Sequence, residues 1–323
     1  MSFLLSWRPI YYIMPNARIK SYLHFHLIVF IWGFTAVLGA LISIGAVPLV
    51  WFRMGLASIF IGLYIKWRGI DLRLTPKAAV LFSLAGIIIA LHWLTFFGAI
   101  KVSNVSITLA MMSTGAFFTA LLEPIFYKRK MIWYEVVFGL IVVAALYFIF
   151  EVEIQYRLGI ALALLSALLS AIFTLLNGSF VHRHNATKIS FYELMIGTLF
   201  ITIYLTLQPT FSNGLDEVFI FDNAFFALAA SDWIYLFILA SVCTAYAFIA
   251  SVQVMKHLSP YTIMLTINLE PVYGIVLAFL VLGDTEKMSS NFYYGAIVIL
   301  GVVILNGMLK NRKYFERKKT LKS

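Results

Sequence analysis

Three observations predict an all-α integral membrane protein of ten transmembrane helices, built as two inverted five-helix repeats. The 323 residues are 62% apolar and 12% charged, with a mean hydropathy of +0.95, outside the range of soluble globular domains. Ten apolar segments follow one another, at about residues 24–42, 47–65, 78–100, 105–126, 133–150, 158–180, 189–207, 232–253, 260–282 and 292–309. Each is about 18 to 23 residues long, enough to cross a bilayer as a helix. The third observation is a similarity between the two halves at a nearly constant offset. A β-barrel would need strands of about 10 residues with alternating polarity, and nothing alternates in that way.

Composition also narrows the function classes. The net charge of +10 comes from short basic clusters between apolar spans and from a tail between Lys310 and Lys322, a distribution that marks cytoplasmic membrane faces rather than a nucleic-acid groove. A lone Cys243 inside an apolar run rules out an intramolecular disulfide and reads as a small core residue. No cleavable signal peptide is apparent, because the first apolar run, Phe3 to Trp7, is short and meets Arg8 and Pro9. Met14 stands just ahead of the first long span as an alternative start to Met1.

The positive-inside rule sets the orientation. With a cytoplasmic N-terminus, Arg8, Arg18 and Lys20, then Lys66, Arg68, Arg73 and Lys77, then Lys128, Arg129 and Lys130 fall inside. Arg183, Lys188, Lys256 and seven basic residues of the tail join them. Only Lys101, Arg157 and Lys287 fall outside, which leaves Arg53 within a span. Both termini are therefore expected in the cytoplasm of a multi-pass inner-membrane protein. The longest loop, about 208–231, carries Asp216, Glu217 and Asp222 without Lys or Arg, as an external loop should.

The repeat appears when Ala99-Ile-Lys101-Val-Ser103 is set beside Val254-Met-Lys256-His-Leu-Ser259, about 155 residues on. Phe52-Arg53 likewise aligns with Tyr192-Glu193, 140 residues on. An odd number of spans per copy inverts the second copy in the membrane. The charges agree: the fourth span ends in Lys128-Arg129-Lys130, its ninth-span equivalent in Asp284-Thr285-Glu286. Glu123-Pro124 and Glu270-Pro271 look like twins but lie 147 apart, so the better alignment pairs Glu270 with Gly115 instead.

Several stretches carry a resemblance: Trp32-Gly33-Phe34 in the first span, Arg53 in the second, FGAIKVSNVS from Phe97 to Ser106, and NLEPVYGIVLAFLVLGDTE in the ninth. In this order and topology the chain resembles the EamA-domain branch of the drug/metabolite transporter superfamily from about Tyr22 to Lys310. The resemblance implies repeats at 22–152 and 153–310, between a cytoplasmic segment 1–21 and a basic cytoplasmic tail 311–323. It also implies alternating access around a central cavity lined by inner helices, with amino acid-like or drug-like solutes moved outward. Family members often carry Pro near the position of Ala116, mirroring Pro271; here Ser113-Thr114-Gly115-Ala116 stands instead.

Candidate residues carry two readings each. An ionisable group at mid-depth is costly on a lipid-facing surface. Glu270 therefore faces protein or water, where it exchanges a coupled proton, counters a substrate amine, or is held structurally by hydroxyls or Arg53. Pro271 is expected to break the helix, with Gly115 as its counterpart. Asn268 neighbours Glu270, while Thr266, Tyr273 and Gly274 share its face. Arg53 and His92, roughly 9 and 12 Å below the outer surface, read as a gate or substrate contacts, or as a snorkelling side chain and a helix cap. Glu193 reads as shallow, reaching headgroups or Lys188, and Glu123 as an ion pair with Lys128 and Arg129. Trp32, Trp93, Phe96, Met111, Met112, Tyr246, Asn177 and Gln253 are candidate cavity walls, with packing as the plainer alternative, and Ser113 lies at the fourth-span break.

The expected function is a secondary transporter of a small molecule, without cofactor or metal, as a monomer or homodimer in the lipid bilayer. No G-x-x-x-x-G-K-[ST] motif supplies an ATP motor. Two rivals stand beside it: a membrane-embedded lipid-modifying enzyme and a non-transporting structural or receptor protein. The six His residues are scattered, and His182 and His184 share a loop without a carboxylate, which weakens the enzyme reading.

Overall fold

The computed structural model describes residues 15–128, 133–211 and 223–320. Met1, Arg8 and Met14, the basic Arg129, Lys130 and Lys322, and the acidic Asp216, Glu217 and Asp222 lie outside them. Among the described residues all regular structure is helical. The first half of the chain forms α1 (Pro15–Leu41), α2 (Ala46–Arg68), α3 (Pro76–Val102), α4 (Val105–Met112), α5 (Gly115–Tyr127) and α6 (Trp133–Val152). The second forms α7 (Arg157–Phe180), α8 (Ala186–Phe211), α9 (Ala230–Ala240), α10 (Ala247–Val254), α11 (Pro260–Ile267), α12 (Glu270–Leu282) and α13 (Ser290–Thr320).

Helix starts follow local chemistry. Thr75 and Ser259 cap α3 and α11 with side-chain oxygens that accept from Ala78 and Thr262 amides, each with proline in the first helical turn. Asn104 does the same for α4 through the Ile107 amide. Gly69 ends α2 in the left-handed conformation, φ 61°, which only glycine adopts without a Cβ penalty.

Every predicted span lies in a helix, and the two that were aligned at 155 residues are divided alike. The fourth span is α4 and α5, interrupted at Ser113-Thr114, and the ninth is α11 and α12, interrupted at Asn268-Leu269. Adding 155 to the bounds of α4 and α5 gives those of α11 and α12, and carries cap Asn104 onto Ser259. The mirrored break exists without a mirrored proline. Ser113 and Thr114 bond their hydroxyls to the Ala110 and Met111 carbonyls, which competes with continuation of the helix. Pro271 and Gly115 therefore stand just beyond the breaks, in the first turn of the following helix.

Among the described residues, eight helical stretches are long and apolar enough to cross a membrane, and α6 and α13 contribute shorter apolar stretches, Val137–Ile149 and Ser290–Val302. Helix α13 runs on into the basic residues as far as Thr320, since Lys, Arg and Glu are good helix formers.

The packing pairs correspond between halves. Helix α12 packs on α1 as α5 packs on α7, and α10 meets α1 as α3 meets α7. Helices α2 and α8 pair with each other, as do α6 and α13. Close approach needs small residues: a Cβ on Gly33 of α1 would sit 2.9 Å from the Cβ of Tyr273 on α12. The main buried cluster surrounds the junction of α1, α2, α3, α7, α10 and α11, and a smaller one joins α4 and α7 to α6 and α13.

Candidate functional site

The junction of these helices encloses a cavity of about 70 Å³, several times the roughly 10–15 Å³ that one water needs. Helix α1 contributes Trp32 and Thr35, α2 contributes Arg53, and α3 contributes Ile89, His92, Trp93 and Phe96. Helix α7 adds Ser170, Phe173 and Thr174; Phe248, Ser251, Met255, Ile263 and Ile267 close the apolar wall, and Glu270 starts α12 at its edge. Seven of the residues singled out in the sequence meet here: Trp32, Arg53, His92, Trp93, Phe96, Met112 and Glu270.

Arg53 is 2% exposed. Its Nε donates to Thr244 Oγ at 2.7 Å, and its guanidinium carbon lies 3.9 Å from the Trp93 ring centre and 5.4 Å from that of Phe97. Neither snorkelling nor loop carbonyls hold it; a desolvated cation over two aromatic faces does. Thr244 sits in a π-helical turn, Ser241–Tyr246, between α9 and α10, and donates back to the Leu239 carbonyl at 2.7 Å. Such widened turns are frequent at functional sites because they re-aim a side chain. Nη1 of Arg53 has no hydrogen-bond partner among the described residues.

His92 is fixed to α7 rather than capping a helix. Its Nδ1 lies 2.9 Å from the Ser166 carbonyl and 2.8 Å from the Ser166 hydroxyl, which itself donates to the His92 carbonyl at 2.9 Å. Glu270 is 8% exposed, and no hydrogen bond or ion pair from another described residue reaches its carboxylate. Arg53 and Glu270 thus share one cavity as a basic and an acidic side chain that are not joined to each other. An arrangement of this kind can take a solute that bridges the two, with aromatic and Met surfaces against its apolar part.

Other expected site residues lie elsewhere. Met111 packs in the smaller cluster with Ile149 and Phe292, and Met112 faces the cavity in its place, because adjacent helical residues point about 100° apart. Tyr246 is 45% exposed and bonds His24 at 2.8 Å, and Gln253 is exposed. Thr266 bonds the Thr262 carbonyl, Ser113 that of Ala110, and Tyr273 packs its ring on Phe30 at 5.4 Å. Asn268 is buried at the ninth-span break, neither amide atom bonded among the described residues, outside the cavity lining. Glu123 is buried on α5 away from the cavity, and its expected partner Arg129 lies outside the described residues.

Glu193 is the clearest correction. It is fully buried rather than shallow, with Oε1 accepting from Asn177 Nδ2 at 2.9 Å, while Lys188 turns to the Arg73 carbonyl and to Asp71. Asn177 in turn belongs to this pair, not to the cavity lining.

Sequence reasoning missed Thr35, Ser170 and Thr174. One signal pointed to two of them: Ser166, Ser170, Thr174 and Asn177 recur at helical spacing along α7, a polar stripe in an apolar span. Two further carboxylates also have unforeseen partners. Glu286 accepts from the Val105 and Ser106 amides that open α4, at 3.1 and 2.8 Å, and Asp232 accepts from the Ser43 amide and hydroxyl at 2.9 and 2.5 Å.

Residues 19–151 and 157–308 each match the model of the EamA-like transporter family. No curated protein matches the chain. One solved structure, bearing only the description "Crystal structure of protein", is similar at a TM-score of 0.62 and 14% sequence identity, over 90% of this chain and 98% of that one. At that identity the likeness shows the fold alone.

Proposed function

Because the chain belongs to the EamA-like transporter family, whose model matches both halves, we propose that it is a secondary transporter carrying a small amino acid-like solute through the Arg53–Glu270 cavity. The observation that carries this reading is the pair of opposite charges on one cavity without an ion pair between them. A zwitterion with an apolar side chain complements both: its carboxylate on Arg53, its ammonium on Glu270, its side chain against Trp93, Phe96 and Phe173. Drug-like cations would engage Glu270 alone.

Ten spans in two inverted five-helix repeats would rock around this site to give alternating access. The matching breaks at Ser113-Thr114 and Asn268-Leu269, and the corresponding packing pairs, support that symmetry. Glu270 would exchange a proton or stay ionised against the substrate amine. Movement would be outward across the cytoplasmic membrane, with both termini inside.

Proteoliposomes test the reading, with apolar amino acids, their deaminated acids and their decarboxylated amines as probes. Flux of the zwitterions well above either one-charge analogue, lost in Glu270→Gln protein that remains folded, is the expected result. Equal flux of all three, or undiminished flux in Glu270→Gln, would overturn it.

A further inference from the structure

The buried pair of Asn177 on α7 and Glu193 on α8 lies outside the cavity and takes no part in the reading above. Both residues are 0% exposed, and so is Ser190, one turn before Glu193 on α8. Asn177 Nδ2 donates to Glu193 Oε1 at 2.9 Å. Two oxygens of this pair are buried without a hydrogen-bond partner among the described residues, Asn177 Oδ1 and Glu193 Oε2, and the Ser190 hydroxyl is likewise unpartnered.

The Glu193 carboxyl therefore has one described hydrogen bond, from Asn177. An ionised Glu193 offers two accepting oxygens, of which Oε1 alone receives a described donor, while Oε2 receives none. No described cation neutralises the carboxylate. Helix α8 packs on α2, α3 and α10; α10 carries no ionisable residue, Arg53 of α2 is bonded to Thr244, and His92 of α3 to Ser166. The other charged residues of α2 and α3 lie elsewhere: Lys66, Arg68 and Lys77 are exposed, and Lys101 donates to the Ile42 carbonyl at 2.5 Å. The Glu193 backbone is packed closely as well: a Cβ on Gly86 of α3 would sit 2.7 Å from its main-chain carbonyl. A carboxylate buried with one neutral donor and no counter-charge is strongly disfavoured, whereas its acid is neutral and a donor.

We propose that Glu193 is a proton-binding site of this protein, separate from Glu270, with its acid form held against Asn177. A proton from water adds to Oε2, converts that oxygen from acceptor to donor, and forms no other bond. Asn177 lies one turn beyond Thr174 on the helix that brings Ser170 and Thr174 to the cavity. A proton on Glu193 therefore sits one helical turn from the transported solute, a consequence that rests on the transport reading; the proton site itself does not.

Infrared spectroscopy of the purified, solute-free protein tests the site directly. The wild-type protein at neutral pH should show a carboxylic acid C=O stretch that shifts in D₂O, persists in Glu270→Gln, and disappears in Glu193→Gln. Asn177→Leu, which keeps the acid and removes its partner, should shift the same band. A band unaltered by both variants would overturn the assignment. So would a band present in choline chloride but abolished in sodium chloride, since the site would then bind a metal cation. Because no solute is present, failure here leaves the transport reading standing, and failure of flux leaves this one standing.

Discussion

Arg53 shares its cavity with Glu270 but directs its Nε to Thr244, 2.7 Å away, and lays its guanidinium over Trp93. The cation is thus held in place by a hydroxyl and two rings, and its remaining donors are available to an anion. A direct Arg53–Glu270 ion pair would have consumed both charges.

Arg53→Lys keeps the charge but loses the planar fork and its stacking. Substrate affinity is expected to fall at least tenfold, and stability by about 1–2 kcal/mol, the worth of a desolvated cation–aromatic contact. Flux titrations and thermal unfolding in detergent measure the two effects. Full affinity in Arg53→Lys would mean that a point charge suffices.

Glu286 closes the start of α4 from the far end of the sequence. Glu286→Ala leaves the first two amides of α4 without their carboxylate and should cost about 2 kcal/mol. Glu286→Gln, which keeps an acceptor, should cost less. Unfolding curves that rank the two variants in the opposite order would exclude a capping role.

Gly33 and Tyr273 set the approach of α1 to α12. Gly33→Ala places a methyl group against backbone and Cβ atoms that cannot swing away, and should destabilise by about 1–3 kcal/mol. Gly301, with open space where its Cβ would stand, is the matched control, and Gly301→Ala should leave the melting temperature unchanged or slightly raised.

His184, in the loop between α7 and α8, titrates below the usual imidazole value because of partial burial, with Lys188 and Arg183 adding like charge. The folded state therefore binds this proton less well than the unfolded chain. Its contribution to stability is present above about pH 6.5 and lost as the pH falls through the lowered folded value. The drop in melting temperature between pH 7.5 and pH 5 should be smaller in His184→Gln than in wild type. An equal drop in both would remove His184 from the acid response.

Helix placement, the two-repeat plan and the pairing of Gly115 with Glu270 were all determined by the sequence itself. These depend on local or periodic information: span length, caps such as Asn104 and Ser259, and the recurrence at 155 residues. The tertiary structure alone decided which polar groups meet. In helices apolar on nearly every face, periodicity does not separate the cavity side from the lipid side, so Met111 and Met112 could not be told apart. Glu193 read as shallow when its depth was counted along one helix, yet α7 brings Asn177 over it and α3 closes Gly86 against its backbone. Arg53 and Glu270 are 217 positions apart, and only the packing of α1, α2 and α3 against the second repeat puts both charges on one cavity.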